Sequence, residues 1–243
     1  MKKQLFFTLA MAFSLPAFAS NPLWTYEGAK GPGHWGELSP DYGTCHSGKF
    51  QSPIDIRQPV NADLAPLNLH YQNTAETLVN NGHTLQVSVQ ENEEVELDGQ
   101  KFTLQQYHFH TPSENLIAGK SFPLEAHFVH SSDNNELLVV AVMFNIGAEN
   151  PALGPLLAAL PEKIDEVATL NQPMNIRPLF PENLHYYRFS GSLTTPPCTE
   201  GLRWIVLKEP VTLSQSQLEK FQHALRHANN RPVQPLNGRM IVE

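Results

Sequence analysis

The chain has 243 residues, which is enough for one sizeable hydrophobic core and not clearly enough for two. At pH 7 its formal net charge is -8, from 24 acidic and 16 basic side chains. Beyond the first few residues no cluster of Lys and Arg could neutralise a phosphate backbone, so the charge pattern argues against nucleic-acid binding.

The first twenty residues have the pattern of a secretory signal peptide. Two lysines give a positive start, residues 5–15 are mostly apolar, and Ala-Phe-Ala at residues 17–19 provides the small residues that signal peptidase requires. A buried N-terminal helix, the alternative, would not need this cleavage pattern. Because the apolar run is shorter than the ~20 residues that span a bilayer, we expect no membrane insertion. Residues 1–19 are predicted to be removed, leaving residues 20–243 as one exported domain.

Period-two alternation of apolar and polar side chains predicts β-strands through the middle of the chain. An alternating segment at residues 85–89 is followed by another that leads into Asp98-Gly99, a dipeptide typical of tight hairpin turns. The return strand runs towards His110. Further strands are predicted at residues 125–130, 137–146 and 202–207. The 20 prolines and 14 glycines separate many short segments, which indicates a mainly β protein with long loops.

One helix is predicted near the C-terminus. Ser214 and Gln217 have the spacing of a capping box, and an apolar stripe runs from Leu218 to Leu225. Shorter helical segments are expected within residues 156–170. The chain contains no internal repeat, low-complexity tract or linker, so a single domain is predicted.

The two cysteines, Cys45 and Cys198, are an isolated pair. In an exported protein such a pair predicts one disulfide bond. Two thiols cannot form a structural zinc site of four thiolates, so any zinc ion would have to be held by histidines.

The strand that ends at His110 places His108 and His110 on one face, because residues two apart on a strand point the same way. The strand at residues 125–130 presents His127 similarly. If these strands are antiparallel neighbours, three imidazoles converge, which with one open position is the catalytic form of a zinc site. Gln106 and Glu125 would then lie where partners fix the histidine tautomers. The spacing alone is a weak signal.

A second pair, His223 and His227, has the spacing of a zinc-protease helix. However, Ala224 stands where that motif requires a catalytic glutamate. The pair also lies opposite the apolar stripe of the predicted helix, so we expect both side chains to face solvent.

Beyond these groups, several longer motifs occur in one order along the chain. They are QSPIDI at residues 51–56, NNGH at 80–83, QYHFH at 106–110, SE at 113–114, EAHFVH at 125–130, GSLTTPP at 191–197 and NRPVQPL at 230–236. Over residues 24–239 the chain closely resembles the alpha-class carbonic anhydrases. The resemblance implies a mainly β, single-domain fold with a large twisted, mostly antiparallel central sheet and short peripheral helices.

The activity implied by the resemblance is the zinc-dependent, reversible hydration of carbon dioxide to bicarbonate and a proton, through attack of zinc-bound hydroxide. The family's three zinc ligands fall on His108, His110 and His127. Its proton-shuttle histidine falls on His83. Thr194 matches the threonine that orients the hydroxide, and Glu114 matches the glutamate that accepts the threonine's hydrogen bond.

The resemblance also implies a substrate pocket and a network of water molecules. The pocket falls on Val129, Val139, Leu193, Thr194, Thr195, Leu202 and Trp204, of which the apolar members would hold carbon dioxide. The polar side, where water relays protons, falls on Tyr26, Asn81 and Gln86, with Thr195 near it. Two positions depart from the family pattern. Asn115 replaces a histidine found in many members, and Gln86 replaces a common asparagine.

The Cys45–Cys198 pair matches the bridge of exported, bacterial members of the family, where it would tether the loop that carries Thr194. Together with the signal peptide it predicts a periplasmic location. We expect a monomer or a homodimer, and cis bonds at Ser52–Pro53 and Pro196–Pro197. The alternatives are a non-catalytic binding module that has lost its zinc, and a zinc hydrolase acting on esters.

Overall fold

An eleven-stranded sheet is the main element of the computed structural model. The structure describes residues 24–71, 73–89, 93–161 and 163–243, and the side chains of residues 73–75 and 171–173 are not among those described. The predicted signal peptide lies outside the described residues. No helix in the part of the chain that the structure describes is long and apolar enough to cross a bilayer.

The strands, in chain order, are β1 (Asp55–Ile56), β2 (Asn68–His70), β3 (Asn73–Asn80), β4 (Leu85–Val89), β5 (Glu94–Leu97), β6 (Gln100–His110), β7 (Leu116–Ile117), β8 (Leu124–Ser131), β9 (Leu137–Ile146), β10 (Val167–Asn175), β11 (Tyr186–Ser192), β12 (Glu200–Leu207) and β13 (Val211–Leu213). The helices are α1 (Trp35–Leu38), α2 (Thr44–Ser47), α3 (Gly154–Ala158) and α4 (Gln215–Leu225). Short 3-10 turns lie at Gly28–Lys30, Pro40–Tyr42, Pro151–Leu153 and Arg177–Leu179.

The main sheet has the order β10-β3-β4-β6-β8-β9-β12-β11, with β13 beside β9 and β2 joined through β5 to β6. Only the β9–β12 and β9–β13 pairs of this sheet are parallel. A separate small sheet pairs β1 with β7. The prediction of a large, mostly antiparallel sheet with short helices is therefore confirmed.

Alternation along the central strands separates the two faces of the sheet. On β6 and β8, Tyr107, Phe109, Ala126 and Phe128 belong to the larger hydrophobic core, which also contains the apolar side chains of α3 and α4. The intervening histidines point to the opposite face. A second apolar cluster on that face includes Val139 and neighbouring side chains of β12. A buried core thus supports the face that carries the histidines.

Helix α4 begins with the predicted capping box, in which the Ser214 hydroxyl accepts from the Gln217 N–H at 3.2 Å and Gln217 Oε1 accepts from the Ser214 N–H at 3.0 Å. The helix ends at Leu225 because Arg226 adopts a left-handed conformation, with φ of 65°. His227 therefore lies beyond the helix and is half-buried. Of the two histidines, His223 is the one that lies on α4 and is exposed. The prediction of a solvent-facing helical pair is wrong for His227.

The helical prediction for residues 156–170 is correct only at its start. Helix α3 ends at Ala158, and the β-branched residues Val167 and Thr169 instead join strand β10, where they pair with β3. The backbone hydrogen bonds of these residues are satisfied by a neighbouring strand that local sequence does not reveal.

The predicted disulfide is confirmed: Cys45 and Cys198 are bonded, with their Cα atoms 5.0 Å apart. The Ser52–Pro53 and Pro196–Pro197 bonds are cis as expected, and so is Thr111–Pro112, which the sequence did not indicate.

Candidate metal centre

The register of two antiparallel strands brings three histidines together. His108 on β6 lies opposite His127 on β8, and His110 lies one pleat further along β6, opposite Glu125. Residues opposite each other share a face of the sheet, so the three imidazoles project to the same side. One nitrogen from each ring lies within 4.8 Å of the others, close enough to bind a single metal ion.

The second nitrogen of each ring contacts a fixed oxygen. His108 Nδ1 is 2.8 Å from Gln106 Oε1, His110 Nδ1 is 2.7 Å from the carbonyl oxygen of Asn229, and His127 Nε2 is 2.8 Å from Glu125 Oε1. Because oxygen acceptors require N–H donors, these contacts leave the lone pairs on His108 Nε2, His110 Nε2 and His127 Nδ1.

These lone pairs suit a metal ligand set. His110 Nε2 is buried without a hydrogen-bond partner. Burial lowers the pKa of all three imidazoles, and the neighbouring imidazoles lower those of His108 and His127 further, so the rings stay neutral. Three neutral nitrogens in one cluster match the donors of a catalytic zinc site.

Asn229 was missed by the sequence analysis. Its buried side chain accepts from the Thr111 N–H at 2.8 Å and donates to the carbonyls of Phe109 and His83, at 2.8 Å and 3.0 Å. It therefore fixes the end of β6 to the loop that carries His83. The only available signal was its position directly before the NRPVQPL motif, since a contact between distant loops has no periodicity.

Glu125 organises the loop behind the histidines. Besides its contact with His127, its carboxylate accepts the N–H groups of Glu114 and Asn115 at 2.7 Å and 2.9 Å. It also accepts from Asn115 Nδ2 at 2.7 Å, while Asn115 Oδ1 accepts from the Ile54 N–H at 3.1 Å. The amide that departs from the family pattern therefore braces the site from behind with both ends of its side chain.

Glu114 is buried beside the centre, with its Oε2 3.5 Å from His110 Nε2. Its Oε1 accepts from the Arg231 N–H at 2.8 Å, but Oε2 has no hydrogen-bond partner. Burial raises the pKa of Glu114 to about 8, against the lowering effects of the Arg231 N–H and the Thr194 side chain. Thr194, which is buried nearby, is thus a neighbour of this carboxyl group.

An apolar wall adjoins the histidines. Val129, Val139 and Trp204 lie in register across β8, β9 and β12, and the edge of the Trp204 ring meets His127 with centroids 4.9 Å apart. Leu193 and Leu202 belong to the same apolar cluster. Thr195 is half-buried in the turn between Thr194 and the disulfide, where its carbonyl accepts from the Cys198 N–H.

The face is open to solvent beside this wall. His108 is half-buried, as are its neighbours Gln86, Gln106 and Val129, although the opposite face of these strands packs on the core. These half-exposed side chains lie in the middle of the sheet, and the register of β4 and β6 places Gln86 directly opposite His108.

His83 lines a cavity of about 480 Å³, together with Trp24, Tyr26, Asn81 and other residues. Its ring stacks on Trp24 with centroids 3.8 Å apart. Burial lowers the pKa of His83, as does His227, while Asp165 raises it.

Asn81 Oδ1 accepts from the N–H groups of His83 and Thr84, so the oxygen of Asn81 fixes the turn. Burial and Glu114 raise the pKa of Tyr26, which stays a neutral phenol.

The chain is similar to one family over nearly all of the described residues. The model of the eukaryotic-type carbonic anhydrases matches residues 30–243. A carbonic anhydrase of Pectobacterium carotovorum is 50% identical over 243 residues, all of both chains. One from Neisseria gonorrhoeae is 45% identical, covering 96% of this chain and 92% of the relative.

Solved structures show the same similarity. The alpha-carbonic anhydrase of Thermovibrio ammonificans, solved with the inhibitor sulfanilamide, matches with a TM-score of 0.90 and 49% identity, covering 92% of this chain and all of that one. The enzyme from Photobacterium profundum matches with a TM-score of 0.87 and 49% identity, covering 91% of this chain and all of that one.

Proposed function

Since this chain belongs to the eukaryotic-type, or alpha, carbonic anhydrase family, we propose that it hydrates carbon dioxide with a zinc ion held by His108, His110 and His127. The observation that carries the proposal is the set of three converging lone pairs, each fixed by an oxygen on the other side of its ring. A bound zinc ion would supply Lewis acidity that makes water a nucleophile at neutral pH, a property well documented in carbonic anhydrases themselves.

In this proposal Thr194 and Glu114 direct the nucleophile. A zinc ion beside Glu114 would favour its ionised form. Oε2, which has no hydrogen-bond partner, can then accept the proton of the Thr194 hydroxyl. The threonine oxygen is then left as an acceptor, which turns the attacking oxygen's lone pair towards the substrate. The Thr194 N–H can donate to the negative charge that develops on the substrate.

Carbon dioxide is small and nonpolar, so hydrogen bonds cannot bind it tightly. We assign it to the apolar wall beside the histidines, formed by Val129, Val139, Leu193, Leu202 and Trp204. Thr195 borders this wall on the polar side. The wall keeps the substrate carbon near the nucleophile and excludes competing water.

One proton must leave the site in each turnover, and we assign its transfer to His83. An imidazole suits this task because its unperturbed pKa lies near neutrality. The ring lines a cavity of about 480 Å³ together with Tyr26 and Asn81, which is large enough to hold water and so supports transfer through water. Gln86, opposite His108 on the neighbouring strand, would hold water on the same route.

We further propose that the enzyme acts in the bacterial periplasm. The signal-peptide pattern at residues 1–19 and the Cys45–Cys198 disulfide support export, because such bonds persist in oxidising compartments. A monomer and a homodimer are both consistent with this location.

Stopped-flow hydration of carbon dioxide by the mature protein, before and after removal of its metal, tests the proposal. Fast hydration that disappears on chelation and returns with added zinc is the expected result. A folded, zinc-loaded protein without hydration activity would contradict the proposal and favour a non-catalytic binding module. Faster turnover of an ester than of carbon dioxide would instead favour a hydrolase.

A further inference from the structure

A second histidine lies across the cavity from the proposed shuttle. His227 follows the end of α4, and its ring nitrogens both face carbonyl oxygens. Nε2 is 3.2 Å from the Gly82 oxygen, and Nδ1 is 3.0 Å from the Ala228 oxygen at the exposed edge of the ring.

These two contacts decide where the lone pair of the neutral ring can lie. A neutral imidazole has one N–H, so it can donate to only one of the two carbonyls and must direct a lone pair at the other. An imidazolium donates to both. When Nε2–H is bound to the Gly82 carbonyl, the lone pair of the neutral ring is therefore on Nδ1, at the exposed edge of the ring.

His227 is also coupled to His83. Gly82 directly precedes His83, and both imidazoles line the same cavity, with Tyr26 5.9 Å from the His227 ring centroid. The carboxylates Glu27 and Asp165 line this cavity, and the cationic side chains Lys163 and Arg226 lie with His227 around the neighbouring pocket. Burial lowers the pKa of His83, and His227 lowers it further.

We propose that His227 is a second proton-relay residue, which receives the proton from His83 through cavity water and releases it to buffer. This inference rests on the proposed function. The His83 imidazolium loses its proton and returns to the neutral form, while Nδ1 of His227 gains a proton. A base in solution then removes that proton at the exposed edge of the ring, so both imidazoles end each turnover neutral.

Oxygen-isotope exchange between carbon dioxide and water tests the relay, because it separates the interconversion of carbon dioxide and bicarbonate from the proton transfer that releases labelled water. In His227→Ala we expect the proton-transfer rate and kcat at low buffer to fall a few-fold, with kcat/KM unchanged. His223→Ala is the matched control: its imidazole is exposed on α4, outside the cavity lining, so both rates should stay at the wild-type value.

Two further variants separate a relay from a structural role. His227→Gln keeps a donor for the Gly82 carbonyl but cannot carry a proton, so it should be as slow as His227→Ala. A wild-type rate in His227→Gln would overturn the relay. In a His83→Ala background, His227→Ala should cause no further loss, since the relay is in series, and an additive loss would overturn that order.

The result that rejects this inference differs from the one that rejects the proposed function. If His227→Ala hydrates carbon dioxide at the wild-type rate in low buffer, only the relay fails. If the wild-type, zinc-loaded enzyme does not hydrate carbon dioxide, the proposed function itself fails.

Discussion

The orientation of each histidine at the site depends on the contact made by the ring nitrogen that faces away from the proposed metal. Each of the three clustered histidines uses one nitrogen to contact a protein oxygen, and this contact decides which lone pair faces the centre of the proposed metal site. Such partners are as important to the centre as the ligands, because they fix both the tautomer and the orientation of the ring. The two carboxyl groups beside the histidines also differ in their contacts. Both oxygens of Glu125 accept hydrogen bonds, whereas Oε2 of Glu114 has no hydrogen-bond partner and lies 3.5 Å from His110 Nε2.

Removing the proposed shuttle should slow only the proton step. For His83→Ala we expect kcat at low buffer to fall by about tenfold or more, less than a full general-base contribution, because water and buffer still carry some protons. Added imidazole should restore the rate. Stopped-flow hydration over a range of buffer concentrations measures both effects, and unchanged turnover at low buffer would reject the assignment.

A buried histidine on the opposite face should make stability depend on pH. Burial lowers the pKa of His130 from 6.5 to about 3, and its Nε2 is 2.6 Å from the Tyr71 hydroxyl. Below its normal pKa the unfolded chain binds a proton that the folded chain does not. The free energy of unfolding should therefore fall as the pH is lowered from 6.5 to about 3, by about 1.4 kcal/mol per pH unit from this group.

Urea unfolding at several pH values measures this dependence. His130→Gln, which cannot titrate, should be less stable near neutral pH and should show a smaller loss of stability on acidification. An identical pH slope in wild type and variant would show that His130 does not contribute.

Strands were predictable from the sequence where apolar side chains alternate with polar ones or form a continuous run. Strands β4, β6, β8 and β9 alternate or are buried on both faces, and the sequence predicted them at nearly the observed positions. Strand β10 was not predicted because its pairing partner, β3, is distant in sequence. Its hydrogen bonds depend on tertiary contacts, which a local pattern does not contain.

The cap of α4 should contribute measurably to stability. In Ser214→Ala the Gln217 N–H loses its acceptor, so we expect the free energy of unfolding to fall by about 1 kcal/mol. Urea denaturation measures this loss. Ser216→Ala is the control, because the Ser216 hydroxyl contacts that of Ser214 and accepts from no helical N–H. An equal loss in both variants would contradict the capping role.

At the scale of the molecule, the disulfide joins residues 153 positions apart and ends the loop that carries Thr194. In the Cys45→Ser, Cys198→Ser double variant we expect the free energy of unfolding to fall by up to about 5 kcal/mol, because the unfolded chain gains freedom. Hydration should also slow, since Cys198 donates to the Thr195 carbonyl beside the reacting groups. Denaturation and stopped-flow assays check the two effects, and unchanged stability would contradict the first.

The site was only partly predictable from sequence. The strand period placed His108, His110 and His127 on one face, and the register of β6 and β8 then explains how they meet. Asn229 was not found because its contacts connect loops more than a hundred residues apart. The position of His227 required knowing that α4 stops at Leu225, which depends on the left-handed residue that follows it.

The single carboxylate of Glu125 has a consequence for anyone who wishes to transplant this centre into another scaffold. It serves a ligand histidine and two successive backbone N–H groups at once, so copying three histidines onto two foreign strands would omit what aims them. The smallest portable unit is the β6–β8 hairpin with its intact 111–123 connection, plus one carbonyl supplied from elsewhere in place of Asn229. A transplanted site with only the correct spacing of the three histidines would therefore bind metal with low affinity.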